Sequence, residues 1–218
     1  QDKLNAQQQR AVEHIEGPML VLAGAGSGKT RVVTCRIAHL LSIGVPSAEI
    51  LALTFTNKAA EEMRSRIKKM TNQYVLTSTF HSLGARILRE SIHEIGYRND
   101  FTIYDENDSL QLLKNCLASI GYKDEKGLIK SLRIAISNAK NDLLEPGDLA
   151  ETHHSKTEKI FKEVFILYQQ KLKEYNALDF DDLLYLTVKL FRESPLSLKS
   201  YQDQWTFVLI DEYQDTNH

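Results

Sequence analysis

Two short stretches carry residue types that can do chemistry together. "AGAGSGKT", at 23 to 30, sets three glycines around a lysine and a hydroxyl. It fits the phosphate-binding pattern G-x-x-x-x-G-K-[ST] except at its first position, where Ala23 stands and Gly24 and Gly26 follow. In such a loop Ala23, Gly24, Ala25, Gly26, Ser27 and Gly28 turn backbone N–H groups toward phosphate oxygens, and the N-terminus of the next helix adds a favourable dipole. Lys29 then reaches the β- and γ-phosphates of a nucleotide, and the Thr30 hydroxyl ligates Mg²⁺. The second stretch, "VLIDE" at 208 to 212, ends an apolar run on two acids. Asp211 can hold the metal through its water shell, and Glu212 can orient or deprotonate an attacking water. Each stretch has a plain alternative: a glycine-rich turn with a solvated lysine, and acids that merely end a strand. Found together, with the acids on a strand expected beside the loop, they favour the nucleotide reading.

These residues need a scaffold, and the first third of the chain supplies the pattern of one. A helix over about 6 to 16 precedes an apolar strand "MLVLA" at 19 to 23, and a helix from about 29 to 43 places Val33, Ile37, Leu40 and Leu41 on one face. The cycle repeats with the strand "ILALTF" (50 to 55) and a helix capped by Asn57, with Met63, Ile67 and Met70 on one stripe. "VLTSTF" (75 to 80) reads as a third strand, leading into a helix through about 95. Strands and helices alternating at this spacing predict a parallel sheet with helices on both faces.

From about 105 to 192 the rhythm changes to helices alone. Leu110, Leu113, Leu117 and Ile120 mark one stripe, Leu128, Leu132, Ala135 and Ala139 a second, and Phe161, Val164, Phe165, Tyr168, Leu172 and Tyr175 a third. Asp105 and Asp179 are suited to cap two of these helices. A strand returns only at "TFVLID" (206 to 211). The simplest architecture is an α/β core interrupted by a helical insertion of about a hundred residues, whose last strand rejoins the sheet begun at residue 19.

Composition bounds the rest. With 218 residues and a net charge of −2, the chain can bury a core and shows no global attraction to a polyanion, so a nucleic-acid site must be a local patch. Cys35 and Cys116 both lie in apolar-periodic segments and read as thiols rather than a bridge, which fits a reducing, cytoplasmic setting. No apolar run approaches the roughly 18 residues of a membrane helix, and no leader-like segment opens the chain, so no membrane partner is expected. His153 and His154 lack metal-ligand spacing and receive no role.

Six ordered segments, "LNAQQQRAV", "AGAGSGKTR", "LTFTNKAAEEMRSRI", "STFHSLGARIL", "LDFDDLL" and "IDEYQDTN", resemble those of the superfamily-one DNA helicases of the UvrD, Rep and PcrA type, over essentially the whole chain. Ala at the first loop position is also usual in that family. The resemblance implies a P-loop, RecA-like domain 1A over 1 to 85, a mostly helical domain 1B over 86 to 191, and a return to 1A over 192 to 218. It implies that Gln8 reads the adenine edge, that Arg31 packs on the adenine face, and that Gln214 senses the γ-phosphate and couples hydrolysis to motion. ATP and Mg²⁺ are the implied cofactors. The activity implied is 3′ to 5′ translocation on single-stranded DNA and unwinding at duplex junctions, in repair or replication and beside proteins of those processes. It further implies an N-terminal part of a longer helicase, with little turnover of its own.

The DNA side is chemically intelligible. Phe55 leaves its strand at the sheet's carboxyl end, where it can stack on a base, while Thr56, Asn57 and Lys58 can contact phosphates. The family uses this segment and Thr79, Phe80 and His81 along the single-stranded path. Against this, Phe55 can be core, His81 a hydrogen-bonded structural residue, and the run Lys58, Arg64, Arg66, Lys68 and Lys69 a solvated helix face, which is the favoured reading for most of those cations. "DFDD" at 179 to 182 reads chiefly as a helix cap. Two other classes compete with the motor: a P-loop switch or adaptor, which has no need of Phe55 or Glu212, and a small-molecule kinase, for which no lid arginines follow the loop.

Overall fold

A computed structural model describes residues 4–24, 26–122, 127–148 and 156–213. Ala25, His153, His154 and Gln214 lie outside the described residues. The chain divides into two compact units, one built from residues up to Phe80 together with Lys199 onward, the other from His81–Leu198.

The first unit holds a three-stranded parallel sheet. Strand β1 (Ile50–Thr54) lies between β2 (Leu76–Thr79) and the strand closing the sequence, β5 (Phe207–Ile210). Leu51 is opposite Leu76 on one side and Val208 on the other. All five residues of β1 are buried, as a central parallel strand covered on both faces requires. Ile50 and Ala52 pack with Ile37 and Leu40 of α2 (Lys29–Ser42) and with Met63 and Ile67 of α3 (Asn57–Thr71). Helix α1 (Ala6–Glu13) rests on α2 through Ala11, Val12 and Val32.

Several sequence expectations need correction. α1 ends at Glu13, short of residue 16. Asn57 is the first residue of α3 and not its cap: Thr56 caps it, its hydroxyl accepting the Ala59 N–H at 3.1 Å. Met70 falls on the expected stripe but is half exposed, outside the core that Met63 and Ile67 join. The run 19 to 23 is not a strand; Leu20 and Leu22 are 64% and 86% exposed. A parallel strand is stabilised by its ladder and by helices on both faces, and an apolar run that pairs with no neighbour has neither, whatever its composition. The returning strand β5 does rejoin the sheet, but on β1.

The second unit is helical around one core. Helix α4 (Phe80–Ser91) enters it, followed by α5 (Glu106–Ser119), α6 (Leu128–Asn141), α7 (Lys156–Glu174) and α8 (Asp182–Glu193), while α9 (Pro195–Gln204) leads back to the sheet. Leu113 and Leu117, Leu132 and Ile136, and Val164, Phe165, Tyr168 and Leu172 interlock. The buried face of α6 runs through Ile129, Leu132, Ile136 and Ala139, one position on from the expected Leu128 and Ala135; the shift puts Ile136 into the core in place of the smaller Ala135, while Leu128 packs partly buried at its edge. Asp105 caps α5 through a reciprocal capping box with Asp108. A two-residue parallel pairing joins β3 (Thr102–Ile103) to β4 (Ala177–Leu178). Gly84 lets α4 and α8 approach closely, since a Cβ there would sit 2.3 Å from the Leu183 carbonyl oxygen. Both cysteines are free, and burial pushes the Cys116 thiol up to about 11.

Candidate functional site

The glycine-rich loop delivers Lys29 and Thr30 as the first two residues of α2. Gly28 takes the N-cap with φ +84°, and Gly26 stands at φ +73°, both in the left-handed region that a residue with a Cβ rarely adopts. The loop closes on itself through a Ser27 N–H bond to the Gly24 carbonyl at 3.3 Å. It is anchored from outside by Gln8, whose Nε2 donates to the Ser27 carbonyl at 3.0 Å while its Oε1 accepts the Asn5 N–H at 2.9 Å. Gln8 thus braces the loop from α1.

The acids arrive from the far end of the sequence. β5 ends beside β1, where the Asp211 N–H donates to the Leu53 carbonyl at 3.0 Å. That register brings the Asp211 carboxylate to the loop, and the Thr30 hydroxyl donates to its Oδ2 at 2.7 Å. Asp211 is buried. Lys29 Nζ lies 4.0 Å from Glu212 Oε2 and bonds the Ala23 and Gly24 carbonyls at 3.2 and 3.4 Å. Glu212 takes φ +58°, an uncommon conformation for a residue with a long side chain, and it turns the chain directly after the metal-suited acid. A hydroxyl and a carboxylate in contact form a hard-oxygen donor pair. They fit Mg²⁺, which is held by few protein ligands and keeps water and substrate phosphates for the rest of its shell.

Other expected site residues divide between the units. In the sheet unit, Phe55 follows β1 half-buried, its ring 5.2 Å from that of Phe80 and tilted by 41°. Thr56, Asn57 and Lys58 are exposed around the start of α3, with the Thr56 hydroxyl engaged as the cap. Thr79 is buried. Among the α3 cations, Arg64 bonds Glu61 and donates to the Thr77 carbonyl at 2.9 Å, and Lys68 donates to the Asn72 carbonyl at 3.0 Å, which makes them parts of the local structure.

In the helical unit, His81 stacks on Phe180 with centroids 4.1 Å apart and planes 11° from parallel. Burial lowers the His81 pKa, opposed by the charge of Asp181, so the ring is neutral at pH 7 and offers a face and a hydrogen bond rather than a charge. Phe180 is 55% exposed although its neighbours Asp179 and Asp182 are fully buried. Read from the sequence, the "DFDD" stretch is chiefly a cap and gives this ring no role; the signal for it is an aromatic set among acids at a strand-to-helix junction. The expected cap at Asp179 needs correction: α8 begins at Asp182 with Asp181 in the cap position and no side-chain cap bond, while Asp179 Oδ1 accepts the Asp182 N–H at 2.9 Å within the preceding turn.

Fold and loop together define a mixed α/β protein in which a glycine-rich turn meets an acidic strand end. The chain belongs to the UvrD/REP helicase family: the model of that family's N-terminal domain matches residues 4–218. It is 44% identical to the ATP-dependent DNA helicase PcrA of Leuconostoc citreum, over 98% of this chain and 29% of the relative. It is 42% identical to the ATP-dependent DNA helicase Rep of Escherichia coli K12, over 99% of this chain and 32% of the relative. The Bacillus subtilis PcrA is 43% identical, over 98% and 30%. The chain therefore spans about a third or less of the length of the curated relatives it matches. Among the described residues, no helix is long and apolar enough to cross a membrane.

Proposed function

We propose that this chain is the nucleotide-binding and first DNA-contacting part of an ATP-driven motor that moves 3′ to 5′ along single-stranded DNA and unwinds duplex junctions. The relatives above carry the name ATP-dependent DNA helicase. The observation that carries the reading is the 2.7 Å bond between Thr30 and Asp211, residues 181 positions apart, beside the Lys29–Glu212 pair. In this reading the sheet unit is a RecA-like domain 1A and the helical unit its insertion, 1B.

The loop's N–H groups and Lys29 hold the phosphates of ATP, with Gln8 and Arg31 at the adenine and Gln214 completing the acid motif. Thr30 and Asp211 would hold Mg²⁺, which would offset charge on the phosphate oxygens. Glu212 orients the attacking water and takes its proton, and its left-handed backbone carries the side chain toward Lys29. Phosphate displaces Lys29 from the loop carbonyls it now contacts, giving the ammonium partners of full negative charge. On the DNA side Phe55 and Phe80 in one unit, and the His81–Phe180 pair in the other, offer base-stacking faces, with Asn57 and Lys58 available to phosphates. Such contacts ignore base identity, which suits a motor.

The deciding experiment measures Mg-ATP affinity and steady-state phosphate release with and without single-stranded oligonucleotide. DNA-dependent turnover in the full-length protein supports the motor. Nucleotide binding that oligonucleotide leaves untouched points instead to a P-loop switch or adaptor.

A further inference from the structure

Behind the exposed ring of Phe180 lies a fully buried ionic cluster with no access to solvent. Lys140, on α6, is 1% exposed, and its Nζ lies 2.8 Å from Asp179 Oδ2 and 2.8 Å from Asp182 Oδ1. From α7, the Tyr168 hydroxyl donates to Asp179 Oδ2 at 2.9 Å and Gln169 Nε2 donates to Asp182 Oδ1 at 3.1 Å. The remaining two oxygens accept from the turn itself, Asp179 Oδ1 from the Asp182 N–H at 2.9 Å and Asp182 Oδ2 from the Asp179 N–H at 3.1 Å. All four carboxylate oxygens are thereby engaged. On the outer side, Asp181 accepts from Arg133 at 2.8 Å.

Burying charges is costly, and apolar residues of similar volume often stabilise a core as well or better. An ionic cluster can fix one geometry that oil-like packing leaves loose. What it fixes here is the four-residue turn from Asp179 to Asp182, and the residue that turn presents to solvent is Phe180, flush on His81. We infer that Lys140 is a positioning residue for nucleic-acid binding: from inside the helical unit it pins the turn that holds the Phe180 ring against His81 as a rigid platform for a base. A platform fixed before binding loses no side-chain entropy when a base stacks on it. The inference rests on the DNA reading given above.

The test is a double-mutant cycle in the full-length protein, with single-stranded oligonucleotide affinity as the readout and with Mg-ATP affinity and the melting temperature followed alongside. Phe180→Ala weakens oligonucleotide binding by about 5- to 150-fold, the range for one lost base stack. Lys140→Gln gives a loss within that range and leaves Mg-ATP affinity unchanged. Added to Phe180→Ala, it produces no further loss, because its whole effect passes through that ring. A merely structural role would lower the melting temperature without this saturation. If Lys140→Gln is unfolded at the assay temperature, Tyr168→Phe, which removes one bond to Asp179 and keeps the ring, shows the same pattern at smaller amplitude.

A folded Lys140→Gln, or in its place Tyr168→Phe, that binds oligonucleotide like wild type overturns the inference, as do losses that add in full to that of Phe180→Ala. So does an unaltered Phe180→Ala in a protein whose Phe55→Ala variant is weakened, a result that leaves the DNA reading standing. If neither Phe55→Ala nor Phe180→Ala alters binding, the DNA reading fails first, and the role of Lys140 falls with it.

Discussion

Lys29 makes the site's first prediction, because its ammonium has little to do for the fold. Its side chain is 23% exposed and its present partners are loop carbonyls and Glu212. Lys29→Ala should therefore leave the melting temperature near wild type while Mg-ATP affinity falls by at least tenfold, about 1.4 kcal/mol. Undiminished affinity in a nucleotide titration would remove the phosphate-loop assignment. Phe55 poses the sharper question, since a half-buried aromatic can serve the core or a ligand. Phe55→Ala should weaken oligonucleotide binding by about 1–3 kcal/mol with nucleotide binding intact. A large drop in melting temperature with normal DNA affinity would return Phe55 to the core.

At the scale of elements, the buried cluster joins α6 and α7 to the turn that opens α8, and its protonation makes a second prediction. Burial and the nearby Asp179 charge push the Asp182 carboxyl up to about 6. Burial also acts against the Asp179 charge, but Lys140 outweighs it and holds that carboxyl below its ordinary value. Lys140→Gln leaves two buried carboxylates facing each other, and removing one partner of a buried pair costs about 3–5 kcal/mol. Without the lysine both carboxyls titrate above their wild-type values, so the variant's folded state takes up more protons than the wild type's and gains more stability as pH falls toward 5. Melting curves at pH 5 and 7.5 should show the deficit against wild type shrinking at the lower pH; an equal or larger deficit at pH 5 would contradict this account. Gly84 is simpler. A Cβ at 2.3 Å from a backbone carbonyl oxygen forces α4 and α8 apart, so Gly84→Ala should cost about 1–3 kcal/mol by overpacking, read as a lowered melting temperature.

The elements differ in how far the sequence announced them. α2, β1, α3 and β2 were legible because their cues are local: a 3.6-residue apolar period, a short continuous apolar run and a glycine before a helix. Thr30 and Asp211 could be paired in advance because the loop and the acids each carry a recognisable pattern. The run 19 to 23 misled because apolar character states only that a segment can be a strand, while pairing depends on a neighbour. The fine register of α6 depended on which of two offset stripes met α7. The Lys140 cluster was invisible for a related reason. Nothing near residue 140 marks that lysine as buried; its carboxylate partners lie about forty positions away, and only the packing of three helices brings them together.

For the whole molecule, the division into two units predicts how it unfolds. Each unit has its own core, Ile37, Leu40, Ile50 and Met63 in one and Leu113, Ile136, Phe165 and Tyr168 in the other. The helical unit is a continuous stretch from His81 to Leu198, whereas the sheet unit closes only when chain segments from both sides of that stretch meet along β1. Two cores of different closure favour two transitions over one. The sequence supplies a reporter for one of them, because its single tryptophan, Trp205, is buried in the sheet unit with its ring 5.6 Å from Tyr201. Far-ultraviolet circular dichroism draws much of its signal from the helices of the other unit. If nucleotide binds at Lys29 and Thr30, Mg-ATP at about 100 times its Kd stabilises the sheet unit by about 2.7 kcal/mol and does nothing directly for the helical one. The Trp205 fluorescence transition should then move to higher temperature on adding Mg-ATP while the main dichroism transition moves less. A fluorescence transition indifferent to saturating nucleotide would place the binding site elsewhere, and equal shifts in both signals would mean that the two units melt as one.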